Sequence, residues 1–100
     1  MSCSIDTWTA TATGHDEARV IRVVGDGQCS CASCVLTLEP TNVGIVDDPR
    51  VAALLLRVQV PTEAAQVITP ARVETEIKGP AVEVRVDTDS GAHWVSVTEV

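Results

Sequence analysis

Period-two alternation is the constraint that most narrows what this chain can become. In ARVETEIKGPAVEVRVDT, Val73, Thr75 and Ile77 alternate with Arg72, Glu74, Glu76 and Lys78. Past Gly79 and Pro80 the pattern resumes, with Val82, Val84 and Val86 set against Glu83, Arg85 and Asp87. Successive side chains of a strand point to opposite faces, so this spacing gives one apolar face and one wetted face. The stretch predicts a β-hairpin turning at Gly79-Pro80, with Glu74 and Glu76 pairing with Arg85 across its outer face.

The same reading extends along the chain. TWTATATG sets Thr7, Thr9, Thr11 and Thr13 against Trp8, Ala10 and Ala12, as an outer strand would. ARVIRVV reads as a more central strand, closed by a Gly25-Asp26-Gly27 turn. CVLTLEP places Cys34, Leu36 and Leu38 on one face, and NVGIV is short enough for an edge strand. DTDSGA is a turn signal ahead of a last strand, HWVSVTEV. In that strand His93, Val95 and Val97 share one face while Trp94, Ser96, Thr98 and Val100 share the other, and the pattern does not say which is inward.

DDPRVAALLLRVQVP mixes two periods. Asp48 and Pro49 suit a helix start, and Val51, Leu54, Leu55 and Val58 recur at helical spacing. Leu56, Val58 and Val60, however, alternate with Arg57 and Gln59. A short helical turn at 49–53 leading into a strand at 54–60 reconciles the two, and TEAAQ at 62–66 adds one further turn.

Composition supports sheet. Val, Ile and Thr dominate the apolar and small polar residues, Phe and Tyr are absent, and Trp8 and Trp94 are the only aromatics. Side chains branched at Cβ lose rotamer freedom in a helix and fit a pleated surface. A chain of 100 residues, 45% hydrophobic against 21% charged, holds one core. The expected fold is therefore all-β: a single domain over 1–100, built as a small β-sandwich (Ig-like) or barrel of seven to eight short strands. The Cys, Trp, Cys order of antibody-type domains is missing, because Trp94 follows all four cysteines.

Several function classes are disfavoured. A formal charge of −7 repels phosphate backbones, and the basic residues Arg19, Arg22, Arg50, Arg57, Arg72, Lys78 and Arg85 form no cluster in the sequence. Two tryptophans make no stacking platform for single-stranded bases. Neither a nucleic-acid partner nor a membrane is expected, since MSCSIDTW lacks the basic and apolar runs of a signal peptide and no stretch approaches a membrane span. The expected location is the cytoplasm, where thiols stay reduced, with a virus particle as the other setting.

The cysteines are the unusual chemistry. GDGQCSCASC places Cys29, Cys31 and Cys34 within six positions, and Cys3 is the only other cysteine. A zinc ion held by Cys3, Cys29, Cys31 and Cys34 is one expectation, with His15 or His93 as substitute ligands, although the second two-cysteine knuckle of such sites is missing. A disulfide arrangement is another, joining Cys3 to one member of the cluster and two members to each other. CASC also has the form of a redox motif, but the residues after it, VLTLEP, continue as a strand rather than the helix that would activate a thiol. Buried, inert thiols are the fourth possibility.

No other constellation points to catalysis. His15 lies in the polar loop TGHDEA and His93 opens a strand, neither inside a nucleophile motif. DTDSG begins like a calcium loop but has Gly91 at the fifth position and Thr98 at the twelfth. The sequence therefore favours a non-catalytic structural, assembly or protein-interaction module over an enzyme. Its mean hydropathy of +0.20 calls for a protein partner or self-association to cover apolar surface. Oligomer subunits and decoration or tail proteins of virus particles are the analogies from fold class. A thiol-based metal-handling or redox protein using Cys29, Cys31 and Cys34 is the alternative.

Overall fold

A computed structural model describes residues 3–41, 50–61, 65–89 and 91–100. Alternation has produced strands throughout: β1 (Cys3–Thr13), β2 (Val20–Cys29), β3 (Val35–Pro40), β4 (Val51–Gln59), β5 (Thr69–Lys78), β6 (Glu83–Thr88) and β7 (Gly91–Glu99). A 3-10 turn, Asp16–Ala18, links β1 to β2. The seven strands form one sheet in the order β3-β4-β6-β7-β1-β2-β5, and it curls until its terminal strands β3 and β5 touch. The result is a nearly closed, flattened barrel with extents of 45 × 28 × 18 Å.

The wall has two halves. In one, β2 pairs antiparallel with β1 and with β5 along almost its whole length. In the other, β4 pairs antiparallel with β3 and parallel with β6, and β6 pairs antiparallel with β7. The halves meet at a short parallel seam, whose residue pairs are Ala10–Val97, Thr11–Thr98 and Ala12–Glu99.

Ala10, Ala12, Ile21, Val23 and Val73 from the first half face Leu38, Leu54, Val84, Val86 and Val95 from the second. Ile21, Leu54, Val23, Val84 and Val86 are the bulkiest fully buried side chains, so the core is made of branched aliphatics. Fully burying one such side chain is worth roughly 1.5–3 kcal/mol. Val95 is buried and Trp94 exposed, which decides the inward face of the last strand.

Several sequence expectations change. The segments around Gly79-Pro80 are strands but not a hairpin: β5 lies against β2, whereas β6 lies between β4 and β7. Alternation fixes the face a side chain takes and says nothing about its neighbour. Glu74 accordingly pairs with Arg22 of β2, and Arg85 pairs with Asp87 on its own strand. The Arg22 hydrogen bond holds the exposed Glu74 carboxyl below its usual range.

The helical turn at 49–53 is replaced by strand from Val51 onward. β4 is an interior strand with Ala53 and Leu54 both buried, so its continuous apolar run marks burial on two faces. Within 62–66 the described residues 65 and 66 form no turn, and NVGIV, Asp48 and Pro49 lie outside the described residues. Gly25-Asp26-Gly27 is no turn either, because β2 runs straight through it. The outer strand β1 is flanked by β2 along its length and by β7 only at its C-terminal end.

Arg19 clasps the crossing from one half to the other. Its Nη1 donates to the carbonyls of Gly79 at 2.7 Å and Ala81 at 2.8 Å, and its Nε donates to Glu99 Oε1 at 3.1 Å. With the side chain only 11% exposed, these carbonyls have little water to fall back on. Arg19→Ala is expected to destabilise the fold by about 2 kcal/mol, the scale for hydrogen bonds to a charged group. Arg19→Lys should restore less than half of that, since an ammonium cannot span the same acceptors; chemical denaturation measures both.

Candidate functional site

The seam sets the site. Below Ala10 no ladder pair joins β1 to β7, so the stretch of β1 from Cys3 to Thr9 and the stretch of β7 from Gly91 to Ser96 diverge. Between them lies a groove of about 800 Å³ lined by Trp8, Thr9, Ala92, His93, Trp94 and Ser96, among others. A second cavity of about 340 Å³ opens beside it at the barrel mouth, lined by Ile5, Leu56, Val58, Thr88, Asp89 and His93, among others. Both tryptophans of the chain and one of its two histidines thus converge on one opening.

Trp8 and Trp94 play opposite parts. Trp94 projects from the outer face and is 59% exposed. Trp8 turns inward against the core and lies across Gly25, its partner on β2. A Cβ at Gly25 would stand 2.6 Å from Trp8 Cζ3, so the glycine is what lets the indole lie flat. Two residues on, a Cβ at Gly27 would stand 2.0 Å from the Ser4 carbonyl oxygen, where β1 bulges between Ile5 and Thr7. The glycines read as a turn in the sequence are therefore places where β1 packs too closely on β2 to admit a side chain. Trp8 Nε1 is shielded from solvent and donates to no acceptor among the described residues.

His93 meets a hydroxyl at the mouth. Thr88 Oγ1 lies 3.3 Å from His93 Nε2 and donates to the Gly91 carbonyl at 3.1 Å. His15 is exposed beside the 3-10 turn, far along the chain from these residues.

The cysteines pair two by two. Cys3 joins Cys29 directly across the β1–β2 ladder, and Cys31 joins Cys34 within the loop that leads to β3. This is the disulfide form of the sequence reading, and the two partnerships replace the single tetrahedral set that zinc would require. Among the described residues no group of three or more His, Cys, Asp or Glu side chains converges as a metal site. Cys29 and Cys31 are buried at 4% and 1% exposure, and a shallow cleft lined by Leu36 and Thr69–Arg72 runs past the cluster. Ala32 N–H donates to the Ala65 carbonyl, tying the loop to the approach to β5.

The chain matches no protein-family model, no curated protein and no solved structure. No helix among the described residues is long and apolar enough to cross a membrane. Sequence reasoning singles out the cysteines and His93 but misses the convergence of the tryptophans. The available signal is that the only two aromatics of the chain sit in its first and last strands.

Two outcomes follow. Gly25→Ala should cost about 1–3 kcal/mol by displacing the Trp8 indole, and most of that cost should vanish in a Trp8→Leu background, as a double-mutant cycle would reveal. Removing the Cys3–Cys29 bond by a double serine replacement should cost up to about 3.5 kcal/mol, because it closes a long loop, against about 2 kcal/mol for the Cys31–Cys34 pair; urea denaturation of the two variants should preserve that order.

Proposed function

We propose that this protein is a non-catalytic interaction module that offers a sheet edge to another polypeptide through the β1–β7 groove. The observation that supports the reading is the pair of facing strand segments, each lacking a ladder partner on the groove side, with the exposed Trp94 at the groove's rim. Strand edges present rows of amide donors and acceptors that a further strand satisfies, and proteins that do not use such edges protect them. Exposed tryptophan adds the large apolar contact that dominates binding hot spots.

A thiol-handling role has weaker support. Cys29 and Cys31 are buried, so an incoming thiol or metal would have to enter through Cys3 or Cys34, which are partly exposed. The two bonds brace the loop and the base of β1 instead.

Panning a random-peptide display library on the immobilised protein and on its Ala92→Pro variant tests the interaction reading. Proline on the free side of a strand removes a donor without disturbing the ladder on the other side. Peptides enriched on the parent and lost on the variant are expected. No enrichment, or peptides that bind both proteins alike, would contradict it.

A further inference from the structure

Resting on that reading, we infer that the occupant of the β1–β7 groove is an extended strand of a different protein that carries cationic flanking residues. The backbone directions are set by two hydrogen bonds at the seam. Val97 N–H donates to Val82 O on the β6 side, and Val100 N–H donates to Ala12 O on the β1 side. Amide groups alternate sides along a strand, so Ala92 and Trp94 turn theirs toward the groove, and Trp8 does so from β1.

These edges lack the protection the others carry. The terminal strands β3 and β5 contain Pro40 and Pro70, β5 alternates Arg72, Glu74, Glu76 and Lys78 along its outer face, and the two cover one another. Between Gly91 and Thr98 there is neither a proline nor a Lys, Arg, Asp or Glu side chain, and from Cys3 to Thr9 only Asp6 is charged. Trp8 lines the groove as well, with its ring turned inward over Gly25.

Charge selects the partner. Among the described residues, the linings of groove and mouth hold no lysine or arginine, and Asp89 is their one acidic side chain. The whole chain carries −7, so a second copy meets like charge whereas a cationic strand is drawn in.

The test uses the full, disulfide-bonded chain with 15N label and two synthetic peptides sharing one alternating valine-threonine core, flanked by lysines in one and glutamates in the other. The lysine peptide should slow amide exchange at Ala92 and Trp94 by about tenfold or more and leave Val95, which faces β6, unchanged. It should bind at least about tenfold more tightly than the glutamate peptide in dilute buffer, with the gap narrowing as salt rises. Ala92→Pro, checked for folding by circular dichroism, should abolish the protection at Trp94. Equal affinities, or no binding by either peptide at millimolar concentration, would overturn the cationic-strand assignment. Groove binding by display-selected peptides without cationic flanks would overturn it too, while leaving the interaction reading intact. Protection that rises with protein concentration alone would make a second copy the occupant and overturn the assignment to a different protein. Slow exchange at both amides in the free, dilute protein would mean the groove is already closed, and both proposals would fall.

Discussion

A three-residue parallel ladder, Ala10–Ala12 beside Val97–Glu99, holds the two halves of this barrel together. Its residues explain why so short a join suffices. Ala10 and Ala12 are small and buried, so the backbones approach without opening a void, and Val97 packs against the core from the other side. Val100 N–H extends the join by a bond to Ala12 O. Arg19 then gathers Gly79, Ala81 and Glu99 at the same end, so that the crossing strand and the last strand are anchored to one side chain. The seam thus closes the upper barrel where the halves are also best cross-linked.

The lower barrel is held differently. There β1 leans entirely on β2, through a long antiparallel ladder and the Cys3–Cys29 bond at its foot. β7 leans entirely on β6 through their hairpin. Each strand is secured on the side away from the groove, so the opening does not depend on a loose segment. An opening framed by two strands that are each paired on their far side keeps its edge amides available and lowers the ordering cost when a strand arrives. The inward tryptophan has the same support, because Gly25 gives it a flat bed and Ile5 flanks it.

Much of this was legible in the sequence, and the limits are physical. Alternation gave the strands and their faces, as in β5, where Val73 is buried and Arg72 and Glu74 are exposed. It could not give neighbours, because Val84 is inward whether β6 lies beside β5 or beside β4. Nor could it separate a strand buried on both faces from a helix in VAALLL, where the decisive fact is that the consecutive residues Ala53 and Leu54 are both covered. Gly25 and Gly27 have two meanings in any sequence, a bend or a close approach, and only the position of Trp8 and Ser4 distinguishes them. Close spacing of thiols is likewise compatible with a metal or with bonds until the loop path places Cys3 opposite Cys29. The groove was the least readable feature, since it arises where a pairing stops, and no residue type marks that point.

The central claim is that β1 and β7 pair above Ala10 and part below it. Interstrand nuclear Overhauser effects on the uniformly labelled protein test this directly. Backbone contacts should link Ala10, Thr11 and Ala12 to Val97, Thr98 and Glu99, and none should link the stretch from Ser4 to Thr9 with the stretch from Ala92 to Val95. A continuous series of contacts along the full length of both strands would contradict the account.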